Sequence, residues 1–176
     1  MQINTRRVWM GAMSAVVLAG LVACGGSSGS GPTPITKVYV MGDSLADVGT
    51  FGLKFTVQDA GSAKGFPIWP QIVANNVGVD GSAQCSFYGL TPGSTVPTLS
   101  PKCTNFAIGG GRIVVSAADG GTVSPLTVGT QLKTRAQQGN YTANDLLLID
   151  GGGNDAADLI GAYLGAASGA QGVANY

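Results

Sequence analysis

The sequence predicts an α/β domain built on a parallel sheet. Predicted strands alternate with predicted helices, and each main strand candidate runs into a glycine-rich turn. The run Asp145–Ile149 is unbroken and apolar, the pattern of a strand covered on both faces. In chain order, Lys37–Met41 alternates β-branched and aromatic residues before Gly42 and reads as the first strand. Pro67–Val77 places Ile68, Trp69, Ile72, Val73 and Val77 near helical spacing, with prolines at its start. Residues 80–103 read as a long irregular excursion. Asn105–Ile108 is a short strand candidate ending in Gly109-Gly110-Gly111, and Thr127–Gln138 reads as a helix closed by Gly139. After Asp145–Ile149, the turn Gly151-Gly152-Gly153 leads into a helix expected from near Asp155 through Leu164. No internal repeat is present.

The composition narrows the function. Of 176 residues, 44% are hydrophobic and only 10% charged, 29 are Gly, and nine Lys/Arg balance nine Asp with no Glu. That apolar content suffices for one packed core and argues against disorder. No basic block is present to neutralise phosphates, so nucleic acid is not an expected partner. The chain has no histidine, which excludes a His general base, a His metal ligand and a complete Ser-His-Asp triad within these residues. No metal and no cofactor is expected.

Residues 1–23 read as an export signal. Arg6 and Arg7 form a positive start, and the apolar stretch Val8–Val22 is too short to span a bilayer. It ends Leu21-Val22-Ala23-Cys24-Gly25, which resembles the bacterial lipobox, where the cysteine is lipidated and becomes the new N-terminus. The resemblance implies a lipid anchor on Cys24. With no aspartate after Cys24, it further implies the outer membrane or cell surface of a Gram-negative bacterium. Residues 24–36, rich in Gly, Ser and Pro, form the expected tether, and 37–176 the folded part. Removal of residues 1–23 leaves a net charge of 7 − 9 = −2. The two remaining cysteines, Cys85 and Cys103, lie in a loop-like stretch of an exported chain and are expected to form a disulfide.

Three strand ends carry chemistry, and open parallel sheets place ligands at such carboxyl ends. The first is Gly42-Asp43-Ser44-Leu45, continued by Ala46-Asp47. The second is Asn105-Phe106-Ala107-Ile108-Gly109-Gly110, and the third Gly152-Gly153-Asn154-Asp155. Each has a plainer reading: an Asp-Ser helix cap, a glycine-rich turn and an Asn cap. Gly151-x-Gly153-x-x-Ala156 also meets the relaxed dinucleotide fingerprint, but no acidic residue follows Asp158 to complete it. Taken in order, with Phe66-Pro67-Ile68-Trp69-Pro70 between the first two, the segments resemble the GDSL, or SGNH, serine hydrolases over about residues 37–165.

The resemblance implies a three-layer α/β/α, flavodoxin-like fold and acyl hydrolysis of a small-molecule or lipid ester. It maps the nucleophile onto Ser44, whose N–H also serves the oxyanion. Gly110 becomes an oxyanion donor, with Gly109 its nearest competitor, and Asn154 supplies a side-chain donor. The family's closing Asp-x-x-His block has no counterpart here. The expectation is therefore an N-terminal portion of such a hydrolase, inactive alone. The alternatives are a non-catalytic surface-anchored binding lipoprotein and a pseudoenzyme. The apolar Phe87-Tyr88-Gly89-Leu90 stretch either meets acyl chains or packs on the core.

Overall fold

The computed structural model describes residues 33–57, 61, 65–91, 96–113 and 127–165. The chain divides into Met1–Thr33 and Pro34–Tyr176, and the second unit holds the sheet and its helices. The predicted leader 1–23, Cys24 and most of the 24–36 tether lie outside the described residues.

The elements are β1 (Lys37–Met41), α1 (Trp69–Asn76), a 3-10 turn (Gly81–Ala83), β2 (Tyr88–Gly89), β3 (Thr98–Leu99), α2 (Val128–Ala136), β4 (Asp145–Ile149) and α3 (Gly153–Gly165). Pro70 fits the first turn of α1, where a missing N–H leaves no bond unmade. There the Gln71 side-chain oxygen accepts from the Ile68 N–H at 3.2 Å. Thr127 caps α2, its hydroxyl accepting from the Thr130 N–H at 3.1 Å. Lys133 and Arg135 sit in the last turn of α2, where cations meet the negative end of the helix dipole.

β1 and β4 pair in parallel, with Lys37 opposite Asp145 and Met41 opposite Ile149. The expected strand at Asn105–Ile108 is a looser strip, bridged to β1 only at Val40–Asn105. It still tracks the free edge of β1 through three bonds: Val40 N–H to Thr104 O (3.0 Å), Phe106 N–H to Val40 O (2.7 Å) and Ile108 N–H to Gly42 O (3.1 Å). The result is a mixed α/β domain around a small parallel sheet.

Alternation along the strands sorts side chains into two clusters. Tyr39, Met41, Phe106 and Ile108 pack with Phe87, Tyr88 and Val128, while Leu132 of α2 and Leu147 lie against them. Val38, Val40 and Ala107 pack with Ala46 and Ala74 of α1, bordered by Trp69, Leu146 and Leu148. Each face of β1 therefore has its own helix, which explains why four of its five residues are buried. Phe87 stacks on Phe106 with ring centroids 4.4 Å apart, and truncating a ring such as Phe106 costs about 3–5 kcal/mol.

Several expectations need correction. β4 is half-buried rather than covered on both faces, with Ile149 52% exposed; among the described residues it pairs with β1 alone, so one edge stays open. The 80–103 excursion contains the 3-10 turn and the small antiparallel pair β2–β3. α3 starts at Gly153, two residues early, so Asn154 lies inside the helix and does not cap it. Phe87 and Tyr88 are core residues at 2% and 3% exposure, which decides their role against acyl contact. The disulfide expected between Cys85 and Cys103, 18 residues apart in sequence, is by contrast present.

Candidate active site

The site begins where β1 ends. Past Met41 the chain leaves the strand, and side chains bond the backbone groups of Gly42 and Asp43. The buried Gln131 amide from α2 brackets Gly42: its oxygen accepts from the Gly42 N–H (2.8 Å) and its NH2 donates to the Gly42 carbonyl (2.9 Å). The Asp150 carboxylate, at the end of β4, accepts from the Asp43 N–H at 3.2 Å. Asp43 then turns the chain: its side chain accepts from the Leu45 N–H (2.9 Å) and its carbonyl from Ala46 and Asp47 (both 3.1 Å). This is a tight turn and not a capped helix, and it presents a half-buried Ser44.

The fully buried Asp47 joins this turn to the second strand end. Its carboxylate accepts from the N–H groups of Gly49 (2.8 Å), Thr50 (2.7 Å) and, across the site, Gly109 (2.9 Å). Burial pushes the Asp47 carboxyl above its ordinary pKa, and these donors oppose the rise. Asn105 adds a second tie, its amide donating to the Ala46 carbonyl at 2.8 Å.

The third strand end docks on the second through one face of α3. The Asn154 amide donates to Gly111 O at 2.8 Å, and Asp155 accepts from the Ile113 N–H. Asp158 takes the Arg112 guanidinium in a two-pronged pair, and Arg112 also donates to Gly110 O at 2.9 Å. The Arg112 bond holds the Asp158 carboxyl below its ordinary pKa. Asp43, whose carboxylate faces Gly153, completes the contact between the first and third segments. Burial, and then the neighbouring Asp43 carboxylate, push the Asp150 carboxyl upward; the Asp43 N–H and a hydrogen bond from Trp69 oppose this.

The structure thus brings Ser44, Gly110 and Asn154 to one end of the sheet, and it separates Gly109 from Gly110. Among the described residues, every backbone N–H of 42–47 and 108–111 donates to a named acceptor except those of Ser44 and Gly110. Among the described residues the Ser44 hydroxyl likewise meets no hydrogen-bond partner. Gly110 has φ +78°, a conformation that a side chain would strain. Among the described residues no group of three or more His, Cys, Asp or Glu side chains could hold a metal ion.

Sequence reasoning missed Gln131, Asp150, Arg112 and Asp158. Gln131 carried one signal: it is a polar residue on the buried face of α2, between Val128 and Arg135 at helical spacing. Comparison with protein-family models, with curated proteins and with solved structures gives no match in any of the three.

Proposed function

We propose that this end of the sheet is the acylation site of a serine ester hydrolase of the GDSL type. The observation that carries the reading is the pair of N–H groups at Ser44 and Gly110, which meet no acceptor among the described residues, while the other N–H groups of residues 42–47 and 108–111 are occupied. Donors held free and preorganised stabilise a developing oxyanion, and losing one typically costs ~2.7–4 kcal/mol of transition-state stabilisation. The order strip 105–108, β1, β4, with a helix against each face of β1, fits the three-layer fold expected of the family. In such sheets the ligand crevice opens at the carboxyl ends of the strands.

In this reading the Ser44 oxygen attacks the ester carbonyl carbon. The carbonyl oxygen becomes an oxyanion held by the N–H groups of Ser44 and Gly110 and by the Asn154 amide. Collapse expels the alcohol, leaving an acyl group on Ser44, and water then releases the carboxylic acid. The proton of Ser44 needs a base, since a free hydroxyl is a poor nucleophile at neutral pH. The 176 residues contain no histidine to take it. The same absence favours a second reading, a pseudoenzyme or surface-anchored binding lipoprotein that keeps this arrangement without turnover. Export and anchoring through Cys24 belong to both readings.

A fluorophosphonate probe separates them. The 176-residue chain should label poorly, and a version extended through an Asp-x-x-His block should label on Ser44 and hydrolyse p-nitrophenyl esters. Ser44→Ala should abolish both. An extended protein that stays unlabelled while binding ester-like ligands would establish the binding reading instead.

A further inference from the structure

We propose that the chain holds a second site, a polar cavity that takes a neutral ligand rich in hydroxyl groups, of about monosaccharide size. The cavity has a volume of about 490 Å³ and is lined by the loop after the serine turn, by α1 and by the 82–89 segment. That volume lies within the range of small-molecule sites, about 300–1,000 Å³. None of Ser44, Gly110 and Asn154 lines it, so the proposal does not depend on the hydrolase reading.

The observation behind it is a set of orphaned atoms in the lining. Gln84 Nε2 and Oε1 and Ser86 Oγ are shut off from solvent and meet no hydrogen-bond partner among the described residues. Folded proteins rarely leave such groups unpaired, and each case calls for a partner. Slack in the backbone does not account for them. Cys85, between the two, is tied by its disulfide to Cys103. Its carbonyl accepts from the Asn105 N–H at 3.3 Å, and the Phe87 N–H donates to the Asn105 carbonyl at 2.7 Å. The side chains are therefore what moves, and a rotamer change turns either one into the cavity it borders. Lys54 and Gln71, also in the lining, are engaged with the fold. The Lys54 ammonium donates to the Phe66 carbonyl and to Gln71 Oε1, both at 2.8 Å, and Gln71 Nε2 donates to the Gly81 carbonyl at 2.9 Å.

The unmet groups define the ligand. The Gln84 amide needs an acceptor and a donor side by side, and the Ser86 hydroxyl takes either. A carboxylate offers acceptors alone and an ammonium donors alone. The Lys54 charge in the lining further disfavours a cation. A hydroxyl offers both on one atom, so neighbouring hydroxyls on a small ring satisfy all three orphans.

NMR titration of the disulfide-bonded 176-residue chain with glucose, galactose and myo-inositol tests this. At least one should give saturable shifts at the Gln84 side-chain amide and at the backbone amides of residues 84–89, with the Gly110 amide unmoved. Cyclohexanol and N-methylacetamide at the same concentrations should not. Ser86→Ala should weaken binding about two- to tenfold, the loss of one neutral hydrogen bond, and Gln84→Leu should weaken it further. Because Gln84→Leu also deletes two orphaned atoms, its Tm should hold or rise, which separates lost binding from lost folding. A Gln84→Leu protein that melts lower while binding stays intact would show that the amide serves the fold, and overturns the proposal. So does the absence of saturable shifts with all three polyols, an equal response to cyclohexanol or N-methylacetamide, or binding unchanged in both variants; the orphaned atoms would then belong to ordered water. Shifts centred on Gly110 would put the polyol at the proposed acylation site and overturn it as well.

Discussion

Replacing Asp47 with alanine strikes the residue that binds the serine turn to the glycine loop. Its carboxylate satisfies three backbone donors, from Gly49, Thr50 and Gly109. Each donor left unpaired away from water costs about 1–3 kcal/mol. Two of these bonds are only partly buried, so water recovers some of the loss, and removing a carboxylate that burial penalises returns a little more. The net expectation is about 3 kcal/mol of lost stability, a fall in Tm on the order of 10 °C for a domain of this size. Asp47→Asn keeps one oxygen for Gly49 and Thr50 but turns an NH2 toward the Gly109 N–H, so it should lose roughly half as much. Urea melts of the parent and both variants measure the ladder. A loss under about 0.5 kcal/mol for Asp47→Ala, the size of an ordinary surface change, would refute the account. Equal losses for Ala and Asn would show that the charge matters and the donor count does not.

Removing the disulfide by Cys85→Ser with Cys103→Ser should cost about 3 kcal/mol in the chain-entropy account, and non-reducing peptide maps should show the two cysteines as one linked pair. Asp47 and Asp150 have raised pKa values, so between the unfolded value of 3.8 and their folded values the native state holds the extra protons; their contribution is full below that window and fades as pH rises through it. Asp150→Asn should therefore flatten part of that decline in urea melts taken from about pH 4 to about pH 7, and an unchanged slope would contradict the assignment. Asp158 has the opposite sign, since its lowered pKa makes the Arg112 pairing fade as pH falls below the unfolded value. For export, mass spectrometry of membrane fractions should find diacylglyceryl-modified Cys24, and a soluble product retaining residues 1–23 would argue against the anchor.

The parts of the fold legible in the sequence are those set by local pattern. β1 and β4 follow from apolar runs that meet glycine, and α1 and α2 from helical spacing with Pro70 and Thr127 at their starts. The start of α3 was not legible, because Gly153 and Asn154 are weak helix formers; contacts from Asn154, Asp155 and Asp158 to the 110–113 loop decide it. Gly109 and Gly110 look alike in sequence. What distinguishes them is Asp47, 62 positions away, and no spacing rule reaches that far. The 87–90 stretch illustrates the same limit, since an apolar run reads identically whether it faces the core or a substrate. Its stacking on Phe106 is a long-range fact.

Polar contacts, not burial, hold α3 in place, and this bears on how the site can work. None of its residues is buried, and Leu159, Ile160, Tyr163 and Leu164 are exposed. Its described ties to the domain are those of Asn154, Asp155 and Asp158 to the loop that carries Gly110. The same three side chains thus fix the helix and set the Gly110 peptide against Asn154, so the two proposed oxyanion donors cannot shift independently. Losing the Arg112–Asp158 pair would loosen both donors at once, although a partly exposed ion pair is itself a weak contributor to stability. Asp158→Asn should therefore change Tm little while increasing hydrogen exchange at the Gly110 and Gly111 amides. A variant with a large fall in Tm and unchanged exchange there would show that Asp158 supports the fold as a whole and not the geometry of the site.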